Sequence, residues 1–165
     1  MKTIVVGLGN PILGDDGVGW KVVEEIKRQL PADSQVDVIC LSLGGLGLME
    51  HLIGYRRAII VDAFAAEDQP GSIMVMKLRD LPNYSAFHTA SAHDTSLQNA
   101  IELGRSMGAQ LPAEVDIVGI VTKCIHDFSE ELSPSVADAV PFAARIVIDL
   151  LKQVTKYEEE YQPTG

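Results

Sequence analysis

The amino-acid sequence predicts one three-layer α/β domain built around a mostly parallel sheet. Strand-like aliphatic runs alternate with helical patterns along the whole chain, the arrangement that places helices on both faces of a sheet. The runs at 3–7 and 58–61 are continuously apolar, as in strands buried on both sides. A glycine-rich loop joins the first run to a helix, the position where α/β proteins place functional groups. A chain of 165 residues suffices for one compact core. The expected organisation is a single domain over 1–156 and a flexible tail over 157–165.

Each element has its own signal. Thr3-Ile4-Val5-Val6-Gly7 reads as the first strand. Val22, Val23, Ile26 and Leu30 recur at helical spacing after Val18, and Pro31 stops that helix. Val36 to Leu41 is the second strand, and Gly44-Gly45-Leu46-Gly47 is a loop before a short helix around Leu48, Met49, Leu52 and Ile53. Ala58 to Val61 is the third strand, with Asp62 expected at its carboxyl end. Ile73 to Met76 is a fourth, which the turn at Gly71 can place antiparallel at an edge. After an irregular stretch over 79–93, a helix is expected from about Asp94 to Met107, capped by Asp94, Thr95 or Ser96. Val115 to Val121 is the fifth strand. Ser133-Pro134 starts the last helix, because serine caps and proline fits the first turn.

Composition narrows the function. The hydrophobic share is 47 % and the aromatic share 5 %, so Val, Ile, Leu and Ala build the interior. A formal net charge of -10 opposes sequence-independent nucleic-acid binding and docking on anionic lipid. Cys40 and Cys124 sit in or beside apolar runs and read as reduced thiols of a cytoplasmic protein. No secretory signal is read at the start of the chain, and no apolar run reaches the about 20 residues that span a bilayer.

The loop Gly7-Leu8-Gly9-Asn10-Pro11-Ile12-Leu13-Gly14-Asp15-Asp16-Gly17-Val18-Gly19 carries the chemistry. It lacks the third glycine of a dinucleotide fingerprint, since Ile12 stands there, and the second strand ends in Leu41-Ser42-Leu43 without an acid for a ribose. Walker-type and Gly-x-Ser-x-Gly signatures are also missing. Two carboxylates, Asp15 and Asp16, repel a phosphate and suit a cation. Asp62 and His93 are expected at the same edge of the sheet. Carboxylates and an imidazole from three loops form an oxygen/nitrogen donor set suited to a borderline divalent metal such as nickel or zinc. A helix N-terminus close to His93 favours its neutral, metal-binding form. Each residue also has a structural alternative. Asp15 or Asp16 can cap the first helix, Asp62 can cross a turn, and His93 can be a surface loop residue with His88 as its competitor. His51 and His126 read as surface residues.

Gly7-x-Gly9-Asn10 with Asp15-Asp16-Gly17-x-Gly19, Gly44-Gly45, Val61-Asp62-Ala63 and His93 resembles the nickel-iron hydrogenase maturation endopeptidases. The similarity continues through Ile117-Val118-Gly119-Ile120 and Leu132-Ser133-Pro134-Ser135-Val136. The chain differs from some members at Leu43, where they carry Asp, and at Val121-Thr122-Lys123, where others carry Pro. The resemblance implies a twisted five-stranded sheet in a phosphorylase/hydrolase-like αβα sandwich. It implies an aspartic-type cut that removes the C-terminal extension of a hydrogenase large-subunit precursor after nickel insertion. Asp16, Asp62 and His93 would be the catalytic and metal-contacting residues, with Asp15 as a neighbour or cap. Nickel would arrive with the precursor, the partner of a monomeric chain, and zinc or cadmium could occupy the same ligands in vitro.

Overall fold

Five aliphatic segments pair into one sheet in this computed structural model: β1 (Thr3–Leu8), β2 (Val36–Leu41), β3 (Arg57–Ala65), β4 (Ile73–Lys77) and β5 (Glu114–Thr122). Four helices cover it: α1 (Val18–Gln29), α2 (Gly45–His51), α3 (Leu97–Ser106) and α4 (Pro134–Glu160). The structure describes residues 2–66, 69–81, 96–123 and 127–160, with 154–160 described by backbone alone. The strand order is β2-β1-β3-β5-β4. β1 pairs in parallel with β2 and β3, β3 pairs in parallel with β5, and β4 joins β5 antiparallel as the edge strand. The mostly parallel five-stranded sheet with one antiparallel edge is therefore as expected.

The pleat divides the interior into two layers, because successive side chains point to opposite faces. Ile4, Val6, Leu8, Ala58 and Ile60 face α2 and α3, where Leu48, Leu52, Leu97 and Ile101 meet them. Val5, Ile59, Val61, Val118 and Ile120 face α1 and α4, against Val22, Ile26, Val136 and Val147. That double burial explains why β1 and the Ala58–Val61 part of β3 are unbroken aliphatic runs.

Several boundaries move. β3 continues to Ala65, so Asp62 stands inside a strand rather than at its end. The β5 pairing persists through Phe64↔Val121 and Ala65↔Thr122, which keeps β3 extended beyond its aliphatic segment. α3 starts at Leu97, and Ser96 is its cap, accepting from the Asn99 amide. Asp94 and Thr95 lie outside the described residues. α4 runs to Glu160, past the start of the expected tail. No helix among the described residues is long and apolar enough to cross a membrane.

At the amino edge of the sheet a buried charge network ties three strands to α4. Arg57 donates from Nε and Nη2 to Asp116 Oδ2 at 3.1 and 2.7 Å, and from Nη1 to the Leu150 carbonyl at 2.9 Å. Lys77 pairs with the other Asp116 oxygen at 2.6 Å and with Glu114 at 3.3 Å. Burial works against the Lys77 ammonium, but its hydrogen bonds and charge pairs with Asp116 and Glu114 outweigh it and hold the group above the ordinary lysine range. Arg57 and Asp116 are 7 % and 2 % exposed, so neither can exchange its partner for water. Asp116→Ala should destabilise the fold by about 3–5 kcal/mol in urea unfolding, because it strands a buried guanidinium. Lys2→Ala, which removes the half-exposed pair with Asp37, should cost about 1 kcal/mol or less.

Candidate active site

β1 and β3 are neighbours in space but lead to opposite sides of the sheet. The chain leaves β1 through α1 for β2, then returns across β1 through α2 to β3. Open α/β sheets bind ligands in the crevice that such a reversal leaves at the carboxyl ends of the strands. The turn that carries Asp15 and Asp16 and the strand that carries Asp62 both lie at this part of the sheet. A 3-10 turn, Gly14–Gly17, carries Asp15 and Asp16 between β1 and α1 and packs against β3. Asp62 belongs to β3 itself. By strand alternation it shares the face of Ala58 and Ile60, and it is 0 % exposed.

Glycines bring these parts together. A Cβ on Gly19, in the first turn of α1, would run into the carbonyl oxygens of Leu8 and Val61, one residue before Asp62. A Cβ on Gly7 would strike the Gly19 carbonyl and Val23. Gly9 has a φ of +136°, and a Cβ there would overlap the Asp16 carbonyl. The turn is then clamped from both sides. Toward β2, Gly9 donates to the Leu41 carbonyl at 3.1 Å, Trp20 Nε1 donates to the same oxygen at 3.2 Å, and Ser42 Oγ donates to the Gly9 carbonyl at 2.7 Å. Toward α4, Gly14 donates to the Ser129 carbonyl at 2.7 Å and Ser129 to the Ile12 carbonyl at 3.0 Å.

The two adjacent aspartates have different surroundings. Asp15 is buried, and both its oxygens take donors from Ser133: the amide at 2.7 Å and the hydroxyl at 2.8 Å. Asp16 is half-buried, and its Oδ2 accepts from the Asn10 amide at 2.8 Å. Neither caps α1, whose N-cap is Gly17. Asp62 Oδ1 accepts from the amide of Ala63 at 2.9 Å. A carboxylate with no exposed surface, set in an aliphatic strand, is costly unless a charge or donor compensates it.

His93 lies outside the described residues, as do His88, His126 and Cys124. Among the described residues, no three His, Cys, Asp or Glu side chains gather as a metal site. His51 is exposed on α2, its Nδ1 2.8 Å from the Gly47 carbonyl. Cys40 is half-buried in β2. Burial pushes its thiol up, which opposes a nucleophilic thiolate. A cavity of about 290 Å³ opens elsewhere, lined by Lys77, Gln98, Glu102, Arg105 and Glu114 among others, and none of Asp15, Asp16 or Asp62 lines it. Asn10, Ser42 and Ser133 are the site residues that sequence reasoning passed over. Asn10 and Ser133 stand within the motifs of the family resemblance, but only the folded chain shows what each one holds.

Comparison with known proteins decides the family. Residues 20–150 match the family model described as hydrogenase maturation protease. The matched span contains Asp62 and His93 and begins just after Asp16. The chain belongs to the hydrogenase maturation protease family. A putative hydrogenase maturation protease of Methanocaldococcus jannaschii is 29 % identical over 154 residues, covering 91 % of this chain and 96 % of that protein. The hydrogenase expression/formation protein HupD of Bradyrhizobium diazoefficiens is 26 % identical over 139 residues, covering 84 % and 72 %. The fold matches that of the hydrogenase maturating endopeptidase HybD from Escherichia coli with a TM-score of 0.75 at 22 % identity, covering 93 % and 94 %. As a hydrogenase maturation protease the chain is a processing peptidase.

The close approach of α1 to the sheet is open to a direct test. Gly19→Ala should lower stability by about 1–3 kcal/mol in urea unfolding, since two backbone carbonyls must yield. Gly47→Ala should be neutral or stabilise by up to about 1 kcal/mol, because its Cβ would meet only the Leu43 side chain, at 3.6 Å or more, inside a helix that favours alanine.

Proposed function

We propose that this chain removes the C-terminal extension of a nickel-iron hydrogenase large-subunit precursor in the cytoplasm, after nickel has been inserted. We further propose that Asp16, Asp62 and His93 read the nickel that the precursor carries. The observation that carries the reading is the pair of carboxylates, one buried in β3 and one on the turn after β1, at a single sheet crevice in a maturation-protease fold. Two like charges at one crevice repel each other, so the arrangement favours a partner that brings positive charge. Nickel takes oxygen and imidazole donors, and its high affinity for them helps. A precursor without the metal lacks that positive charge. That difference lets the enzyme sense whether insertion is complete before it cuts.

In the aspartic-type hydrolysis that the resemblance carries, one carboxylate takes a proton from the attacking water. The nearby cation offsets the negative charge that builds on the scissile carbonyl. Metal recognition and bond cleavage then share one set of side chains.

The test is to mix the protein with nickel-loaded and nickel-free precursor and weigh the products. Loss of a C-terminal fragment from the loaded form alone is the expected result. Equal cutting of both forms would remove nickel sensing from the assignment. An unchanged mass with complex formation would make the chain a non-catalytic nickel-sensing or precursor-binding factor. Asp16→Ala and His93→Ala should each slow processing by at least about 10²-fold, the scale of a lost acid/base group, while the melting temperature holds.

A further inference from the structure

We infer that Asp15 is the positioning residue of the site, fixing the direction of Asp16 by anchoring their shared turn to the start of α4. This rests on the proposed role of Asp16 and adds to it the residue that holds it. Asp15 and Asp16 are consecutive in the 3-10 turn Gly14–Gly17, so turning one peptide swings the next side chain. Asp15 points away from solvent, 5 % exposed, and spends both carboxylate oxygens on Ser133, 118 positions later.

Ser133 directly precedes Pro134, the first residue of α4, and its carbonyl accepts the first helical bond, from the Ala137 amide at 2.9 Å. The Asp15 carboxylate therefore sits at a helix N-terminus, where the helix dipole and the otherwise orphaned amide both favour a negative group. The backbone links Gly14–Ser129 and Ser129–Ile12 run alongside. They hold the turn at Ile12 to Gly14, upstream of the aspartates. The Asp15–Ser133 contact is what pins the aspartate end. With it in place, the Asp16 carboxylate lies where the Asn10 amide reaches it at 2.8 Å. A near-neighbour carboxylate has thus been taken out of the crevice and used as a tether.

The experiment uses the full chain as Asp15→Ala, Asp15→Asn, Ser133→Ala and the Asp15→Ala/Ser133→Ala double variant. The first reading is the backbone amide signal of Asn10 in a two-dimensional NMR spectrum, which reports its bond to Asp16. It should move in Asp15→Ala and Ser133→Ala, while the amides of Val5, Ile59 and Val118 in the sheet stay in place. The second reading is processing of nickel-loaded precursor. Asp15→Ala should lower kcat by about 10²-fold with little change in KM, as expected when a reacting group is displaced by about 1 Å. Asp15→Asn keeps one acceptor oxygen and should recover part of the rate, and the double variant should be no slower than Asp15→Ala alone. A merely structural Asp15 would lower the melting temperature and leave the Asn10 signal and the kcat of the folded fraction unchanged, and that result would overturn the inference. If Asp15→Ala does not fold, Ser133→Ala decides between the same outcomes. A wild-type chain that does not cut, with the Asn10 signal displaced in the variants, would sink the peptidase reading and leave the tether standing.

Discussion

Helix α1 lies on β1 and β3 so closely that its second residue, Gly19, touches the carbonyl oxygens of Leu8 and Val61. Nearly everything at the carboxyl edge follows from that distance. With any side chain at Gly19 or Gly7 the helix would stand off the sheet, and the turn that precedes it would be carried outward. The turn holds Asp16, and Asp62 follows Val61 directly. The approach of Gly19 to these carbonyls therefore sets how close the turn lies to β3. The hydrogen bonds from Gly9, Trp20 and Ser42 on the β2 side do not create this proximity. They keep the loop from relaxing away from it.

Charged side chains are drawn into the fold at both edges of the sheet. At the amino edge, Arg57 and Lys77 converge on Asp116, and the guanidinium also reaches the Leu150 carbonyl. Breaking such a group costs more than it contributes when whole, so it fastens β3, β4, β5 and α4 in one register. At the carboxyl edge, Asp15, Asp16 and Asp62 accept from amides and a hydroxyl. Donors of that kind orient a carboxylate.

The central strands were readable because burial on both faces leaves no ambiguity in an aliphatic run such as Ala58 to Val61. The antiparallel edge was readable from the short turn at Gly71. The end of β3 was not, because Asp62 looks like a terminator by composition, and only the β5 ladder beyond it shows that the strand continues. The place of the turn after β1 was legible for a general reason: a parallel sheet collects the loops that follow its strands at one edge. The division of labour between Asp15 and Asp16 was not legible from spacing. It depends on Ser133, far along the chain, and local pattern carries no record of a contact across 118 positions. Ser133 was read as a helix cap, and it does stand at the α4 start, but its hydroxyl serves Asp15.

The loop after β1 also shows why a glycine-rich strand-to-helix turn need not bind phosphate. In phosphate loops, successive backbone amides point at the anion. Here those amides are already committed within the protein. Gly9 donates to Leu41, Asn10 to Asp16, Ile12 to the Asn10 side chain at 3.2 Å, Leu13 to Asn10, Gly14 to Ser129 and Asp16 to Leu13. The amide nest of a nucleotide site has been closed on itself, and a carboxylate of the chain takes the place of the ligand anion at Asn10. The glycines keep the close packing that both kinds of loop require. What differs is that the anion at the loop is a side chain of the protein itself.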